Sequence, residues 1–278
     1  MARDLKRPAG LARARLLSYG ATPSAIVKLG PPYVLDRLRR REYRSLSQGE
    51  LLSTRTSEIG FVFGSGRSLL DISSEDWRRI ARCNTIGFSE FVRQRFVRVD
   101  YHMIGEVFDV VEYAQLLGEN SFYDDTVLLV QEGWAADDSN ALIGRQLLPK
   151  GRRIFRYRRT GRARFELPSR SFSRGLVHGW NSSISVTNFA LLMGFKAIVL
   201  TGVDLYDKQY FWLEEGERRE ALRAGSKVEE PFVMSELIVD LFGRWRRVLA
   251  PEGIRLLVYN PKSLLTRTLD VFTWDDVD

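Results

Sequence analysis

Asn181–Tyr210 reads NSSISVTNFALLMGFKAIVLTGVDLYDKQY. A polar cap, Asn181-Ser182-Ser183, opens a helical run in which Ile184, Phe189, Leu192 and Met193 are spaced to bury one side. Gly194 ends the run, since glycine takes the left-handed conformation that closes a last helical turn without a Cβ penalty. Lys196–Leu200 follows as a short, almost wholly apolar strand of the kind covered on both faces in a parallel sheet. It gives way to Thr201-Gly202-Val203-Asp204. Ligands of open α/β sheets bind beyond the carboxyl ends of the strands. Asp204, Tyr206 and Tyr210 are therefore the first candidates for a site, and the helix start at Ser182 offers free N–H groups to an anion there.

The same alternation extends in both directions from Glu58 onward. Glu58–Phe63 is a strand ending in Gly64-Ser65-Gly66-Arg67-Ser68-Leu69. Two glycines there permit a tight turn and a close backbone approach to phosphate, and Ser68 is placed to cap a helix over Leu69–Ile80. The spacing is not the full GxGxxG pattern, so an ordinary βα turn fits it equally well. Arg82–Gly87 reads as a second strand with Asn84 near its end, where its amide reads a nucleotide edge or caps its own turn. Arg98–Ile104 is a third strand, with His102 packed inside it rather than catalytic. Glu106–Leu117 is helical and Thr126–Val130 is a fourth strand. Phe232–Leu249 is an amphipathic helix with Leu237, Leu241 and Trp245 on one face, and Ile254–Tyr259 is the last strand.

This order predicts an α/β fold: a single Rossmann-like, doubly wound, mainly parallel sheet in the segment 56–278. A charged segment at 206–231, hinged at Gly216 and Gly225, is the expected lid. Residues 1–55, broken by Pro and Gly, are the expected N-terminal extension.

Composition bounds the chemistry. A chain of 278 residues with 44% hydrophobic content buries one substantial core. Cys83 is the lone cysteine, and His102 and His178 are the two histidines, which excludes an internal disulfide and a Cys- or His-rich metal site. No apolar run reaches the roughly 20 residues of a membrane span, and the start of the chain lacks a secretory h-region, so the expected setting is cytoplasmic. Residues 1–50 hold eleven basic and four acidic side chains, which equals the whole excess of +7. A basic helix over Pro32–Tyr43, with Tyr33, Leu35 and Leu38 as its apolar side, fits peripheral contact with anionic lipid, a solvated arm or an oligomer contact, and no motif points to nucleic acid. Lys150–Arg174 places ten basic residues against Glu166 with aromatics interleaved. As a strand or hairpin it would suit an anionic glycan, a lipid-linked phosphate or a nucleic acid, or stand as a solvated basic surface.

Four segments together resemble the bacterial CMP-sialic acid-dependent sialyltransferases of the Campylobacter lipooligosaccharide type and their motility-accessory-factor and hydroxymethylpterin-pyrophosphokinase-like relatives. They are Gly64–Leu69, Arg82-Cys83-Asn84, Asn181–Tyr206 and Asn260–Leu265. The resemblance implies a metal-independent enzyme with no cofactor beyond its CMP-activated sugar donor, and a glycan or lipid-linked acceptor of bacterial surface-polymer synthesis. It implies that Gly64, Ser65, Gly66, Ser68 and Asn84 line the nucleotide, that Asn181, Ser182 and Ser183 meet phosphate or sugar, and that Asp204 holds the ribose or orders the strand end. Tyr206 and Tyr210 match the tyrosine pair supporting the departing phosphate. The glycine turn carries Ser65 and Arg67 where the family commonly has Asn and Pro. No histidine follows His178, so the family's lid histidine has no counterpart, and Glu230, Glu229, Asp207 or His178 is left as general base. The rival expectations are Mg²⁺-dependent diphosphate transfer from ATP and a non-catalytic nucleotide-fold binding protein.

Overall fold

The computed structural model describes residues 32–105, 107, 109–133, 136–162, 167–179, 181–214 and 231–276. Its centre is a nine-stranded sheet in which every strand pairs in parallel with its neighbours. The strands are β1 (Arg44–Ser45), β2 (Ile59–Phe63), β3 (Asn84–Phe88), β4 (Tyr101–Met103), β5 (Val127–Gln131), β6 (Arg153–Tyr157), β9 (Ala197–Thr201), β10 (Arg255–Val258) and β11 (Asp270–Val271). Their order is β1-β6-β5-β4-β3-β2-β9-β10-β11. A separate parallel pair joins β7 (Arg159–Arg162) to β8 (Leu176–His178).

The chain steps outward from β2 through β3, β4, β5 and β6, then returns across the sheet to β9 on the other side of β2. The order therefore reverses between β2 and β9, which is where a doubly wound sheet opens a crevice beyond its strand ends. Alternate strand residues feed two cores. Val62, Ile86, Ile198 and Leu200 face the helices Ser182–Leu192 and Ser235–Leu249. Phe61, Phe63, Val199 and Leu128 face the other side, with the helices Ser74–Ile80, Val110–Glu119 and Asp137–Gly144. The α/β, doubly wound, parallel expectation holds.

Several local expectations are corrected. Ser182–Leu192 is buried on all sides from Ser183 to Leu191 rather than on one face. Its outer side is covered by β8, and its polar side chains are satisfied: Ser185 Oγ donates to Val177 O (3.0 Å), and Asn188 Oδ1 accepts from the Val177 (2.9 Å) and Ser169 (3.2 Å) amides. The expected helix Leu69–Ile80 is split into a 3-10 turn, Arg67–Asp71, and the helix Ser74–Ile80. Ser73 rather than Ser68 caps the helix, accepting from Asp76 N. In Ser235–Leu249 the buried face is Ile238, Leu241, Phe242, Trp245 and Leu249, while Leu237 is exposed, and burial of each such side chain contributes roughly 2 kcal/mol.

The expected extension ends earlier than residue 55. Arg44 and Ser45 pair with Arg153 and Ile154 at the sheet edge. Ser47 and Glu50 form a capping box on Gln48–Leu52, whose Leu51 is fully buried. Residues 32–55 are thus part of the folded unit, and the remainder of the expected extension lies outside the described residues. Of the strand or hairpin expected within Lys150–Arg174, strands form, as β6 in the main sheet and β7 in parallel with β8, and β6 and β7 do not pair as a hairpin. Much of its charge is spent internally. Arg152 donates to Leu117 O, Tyr123 O and Asp124 O, Arg156 pairs with Asp36 (2.9 Å), Arg158 with Glu132 (3.4 Å) and Arg170 with Glu252 (2.6 Å).

Candidate functional site

The loops after β2 and β9 meet at the reversal point. Gly64 N donates to Thr201 O and Gly66 N to Gly202 O, both at 2.8 Å. A Cβ on Gly64 would stand 2.4 Å from Gly202 O, and one on Gly66 would stand 2.3 Å from Asp204 Oδ2. What these glycines admit is therefore the neighbouring loop of the same protein, so the close approach expected of a phosphate is made by Gly202 and Asp204. The β9 loop turns through two left-handed residues, Gly202 (φ 65°) and Leu205 (φ 65°). For leucine that conformation costs on the order of 1–2 kcal/mol.

The cost is offset by a hydrogen-bond cluster around Asp204, which is 4% exposed. Ser68 Oγ donates to Oδ1 (2.6 Å), Ser68 N to Oδ2 (3.2 Å) and Asn260 Nδ2 to Oδ1 (2.8 Å). Ser263 Oγ donates to Val203 O (2.7 Å), and Leu264 N to Asp204 O (3.1 Å). Ser68 and Asp204 thus order the loop, and the Asn260–Leu265 motif acts as its clasp. Of the two roles expected of Asp204, ordering the strand end is the one its bonds perform.

Tyr206 and Tyr210 hang from this clasped loop. Asn260 Nδ2 lies 3.5 Å from the Tyr206 hydroxyl. Burial, reinforced by the Asp204 carboxylate, raises the Tyr206 pKa. Burial, reinforced by Glu90 and Asp207, raises that of Tyr210. Both phenols are half-buried and remain protonated donors at neutral pH. Tyr210 is fixed against the glycine turn by an antiparallel bridge to Gly66, with Arg67 N donating to Gln209 O and Phe211 N to Ser65 O (3.1 Å each).

The helix Ser182–Leu192 is capped as expected, Asn181 Oδ1 accepting from Ser183 N (3.1 Å) and Ser183 Oγ (2.5 Å). Asn181 and the buried Ser183 are therefore spent on each other, whereas Ser182 Oγ comes within 2.8 Å of the position a Cβ on Gly105 would occupy, where Ser89 Oγ lies at 2.6 Å. Ser89 and Gly105 follow β3 and β4, so the helix start stands at the carboxyl edge of the sheet, as the tyrosines do.

Other expected residues fall elsewhere. Asn84 begins β3 instead of ending it and lies at the opposite edge from the glycine turn. Its Oδ1 accepts from the Thr56 and Ser57 amides (2.9 Å each) and its Nδ2 donates to Asp100 (3.2 Å), which leaves it a structural role. His178 ends β8, half-buried, four residues before the helix start. Glu229 and Glu230 lie outside the described residues, as does most of the expected lid. His102 is packed as expected: it is fully buried, its Nε2 is 2.6 Å from the Tyr113 hydroxyl, and burial lowers its pKa to about 3.

A second group, which no sequence motif announces, stands beside Tyr210. The Tyr210 and Trp212 rings stack with centroids 5.4 Å apart, and the Arg93 guanidinium lies 5.1 Å from the Trp212 ring. Arg93 bridges the buried Glu90 (2.7 Å) and Glu112 (3.0 Å). Arg93, Glu112, Leu116, Trp212 and Glu214 line an open cleft of about 430 Å³. The only signal for it was the aromatic spacing Tyr210-x-Trp212, because Arg93 and Glu112 come from separate elements. Among the described residues, no group of three or more His, Cys, Asp or Glu side chains is placed to hold a metal ion.

No family model and no curated protein sequence matches the chain. Its path is similar to that of several solved structures, among them two sialyltransferases. One is the monofunctional alpha-2,3-sialyltransferase Cst-I from Campylobacter jejuni, 13% identical over 81% of this chain and 82% of that one, with a TM-score of 0.46. The other is a variant of the sialyltransferase CST-II in complex with CMP, 14% identical over 77% and 85%, with a TM-score of 0.44.

Proposed function

We propose that the protein is a glycosyltransferase that passes an acidic sugar from a CMP-sugar donor to a hydroxyl of a glycan or lipid-linked acceptor. The supporting observation is the placement of two protonated phenols, Tyr206 and Tyr210, on a clasped loop at the sheet edge that also carries the start of the Ser182–Leu192 helix. Departure of CMP leaves negative charge on phosphate oxygen. Donors already aimed and already protonated stabilise that charge without reorganising. The helix start adds free amides of the same polarity. In the proposed step a base takes the acceptor hydroxyl proton, the oxygen attacks the anomeric carbon from the face opposite the phosphate, and the bond to CMP breaks with inversion. His178 or Glu230 is the proposed base. The cleft beside Tyr210, lined by Arg93, Glu112, Leu116, Trp212 and Glu214, is the proposed acceptor side.

Transfer from CMP-sialic acid to a mixture of neutral oligosaccharides tests the reading. Tyr210→Phe should lower kcat by roughly 10²-fold or more while leaving folding intact, as removal of one oriented donor does elsewhere. A chain that is folded yet transfers sugar from no CMP donor, with or without the substitution, would exclude the reading.

A further inference from the structure

Residues 32–39 form a helix that distributes its side chains unlike an ordinary surface helix. Its inward side carries charge. Asp36, 1% exposed, pairs with Arg40 (3.2 Å) and Arg156 (2.9 Å), and Arg39 Nη1 donates to Gly144 O (2.6 Å). The carbonyl of Pro32 lies 2.9 Å from where a Cβ on Gly144 would be, so the helix is seated directly on the end of Asp137–Gly144. Its outward side carries aliphatic surface. Leu38 is 72% exposed and Val34 54%, with Arg37 and Arg41 exposed beside them.

A helix facing water ordinarily buries its apolar stripe and exposes its charges. Exposed aliphatics flanked by arginines are instead the pattern of a helix lying at the headgroup boundary of a bilayer. The sequence ahead of it adds six basic residues against Asp4 within residues 1–31. Basic segments of this kind are drawn to anionic lipid surfaces within about a Debye length. A nucleic-acid duplex would engage the arginines and make no use of Val34 or Leu38.

We propose that this ridge docks the protein on a bilayer containing anionic lipid. Val34 and Leu38 enter the boundary between headgroups and acyl chains, while Arg37 and Arg41 bond to phosphate oxygens. Two helical turns give a reversible, peripheral contact. Because the helix is locked to the domain through Asp36, the contact fixes the orientation of the whole sheet on the surface.

The test is sedimentation of the full chain with vesicles of phosphatidylcholine alone and of phosphatidylcholine with phosphatidylglycerol. Binding should appear with phosphatidylglycerol and weaken as salt rises. Arg37→Glu with Arg41→Glu should lower the partition coefficient about tenfold or more. Val34→Glu with Leu38→Glu should lower it by a similar factor, about tenfold, by removing the apolar contribution. All four side chains are exposed, so the melting temperature should stay unchanged. Absence of binding to phosphatidylglycerol vesicles would overturn the proposal. So would binding that the arginine pair abolishes and the aliphatic pair leaves intact, the outcome expected of a purely electrostatic partner such as a nucleic acid. The readout involves no sugar transfer and is independent of the catalytic reading.

Discussion

Asp204 and Asp36 are both almost wholly buried, yet they are held in opposite ways. Asp204, at the reversal point of the sheet, accepts from neutral donors, the Ser68 hydroxyl and amide and the Asn260 amide. Asp36, at the β1–β6 end, is enclosed by two cations, Arg40 and Arg156. The first arrangement shapes the loop that carries Tyr206 and Tyr210. The second neutralises two arginines packed at that end of the sheet. A buried carboxylate therefore marks a site only when its neighbours are considered with it.

The largest expected effect lies at the cationic end. Asp36→Ala leaves Arg156, whose side chain is 11% exposed, without its counter-charge. Urea unfolding should show a loss of about 3–5 kcal/mol. Asp204→Ala strands neutral donors instead and should cost about 2–3 kcal/mol. The Asn variants sharpen the contrast. Asp204→Asn keeps an oxygen for Ser68 and Asn260 and should lose about 1 kcal/mol, whereas Asp36→Asn keeps shape without charge and should remain closer to Asp36→Ala. If the two Asn variants lose equal stability, the distinction fails.

A pH effect comes next. His102 is held down to about 3 by burial, below its ordinary value near 6.5. The unfolded chain therefore takes up the proton first. Its contribution is fully present above pH 6.5 and is lost as pH falls toward 3, at about 1.4 kcal/mol per pH unit. His102→Gln should remove that slope in acid unfolding curves. The smallest effect belongs to an exposed member of the basic stretch. Arg158, 77% exposed, pairs with Glu132 at 3.4 Å. Arg158→Ala should shift stability by no more than about 0.5 kcal/mol in the same urea assay.

Strands β2, β3, β4, β5, β9 and β10 are legible because each holds a short, mostly apolar run set off by turn residues, as Ala197–Thr201 shows. The Asn181 cap and the Gly194 stop were legible for the same local reason. What was not legible depended on partners distant in sequence. The local pattern puts Asn84 near the end of its strand, whereas the Thr56 and Ser57 amides fix it at the start. Ser68 looked like a cap until Asp204, far along the chain, claimed its hydroxyl. The glycine pattern at Gly64 and Gly66 suggests a close approach to phosphate, whereas the space beside them is taken by Gly202 and Asp204 of the β9 loop. Charge runs misled most, because Lys150–Arg174 gives no local sign that Asp36, Glu132 and Glu252 will receive its arginines. β1 and β11, two residues each, have no periodicity to read.

The most direct test of the central claim is calorimetric titration of the full chain with CMP in the presence of EDTA, repeated for Tyr210→Phe. The predicted result is saturable binding of CMP without a divalent metal, weakened about tenfold by loss of the phenol's hydrogen bond to phosphate. Absence of CMP binding to the folded protein, or binding of ATP alone and only with Mg²⁺, would contradict it.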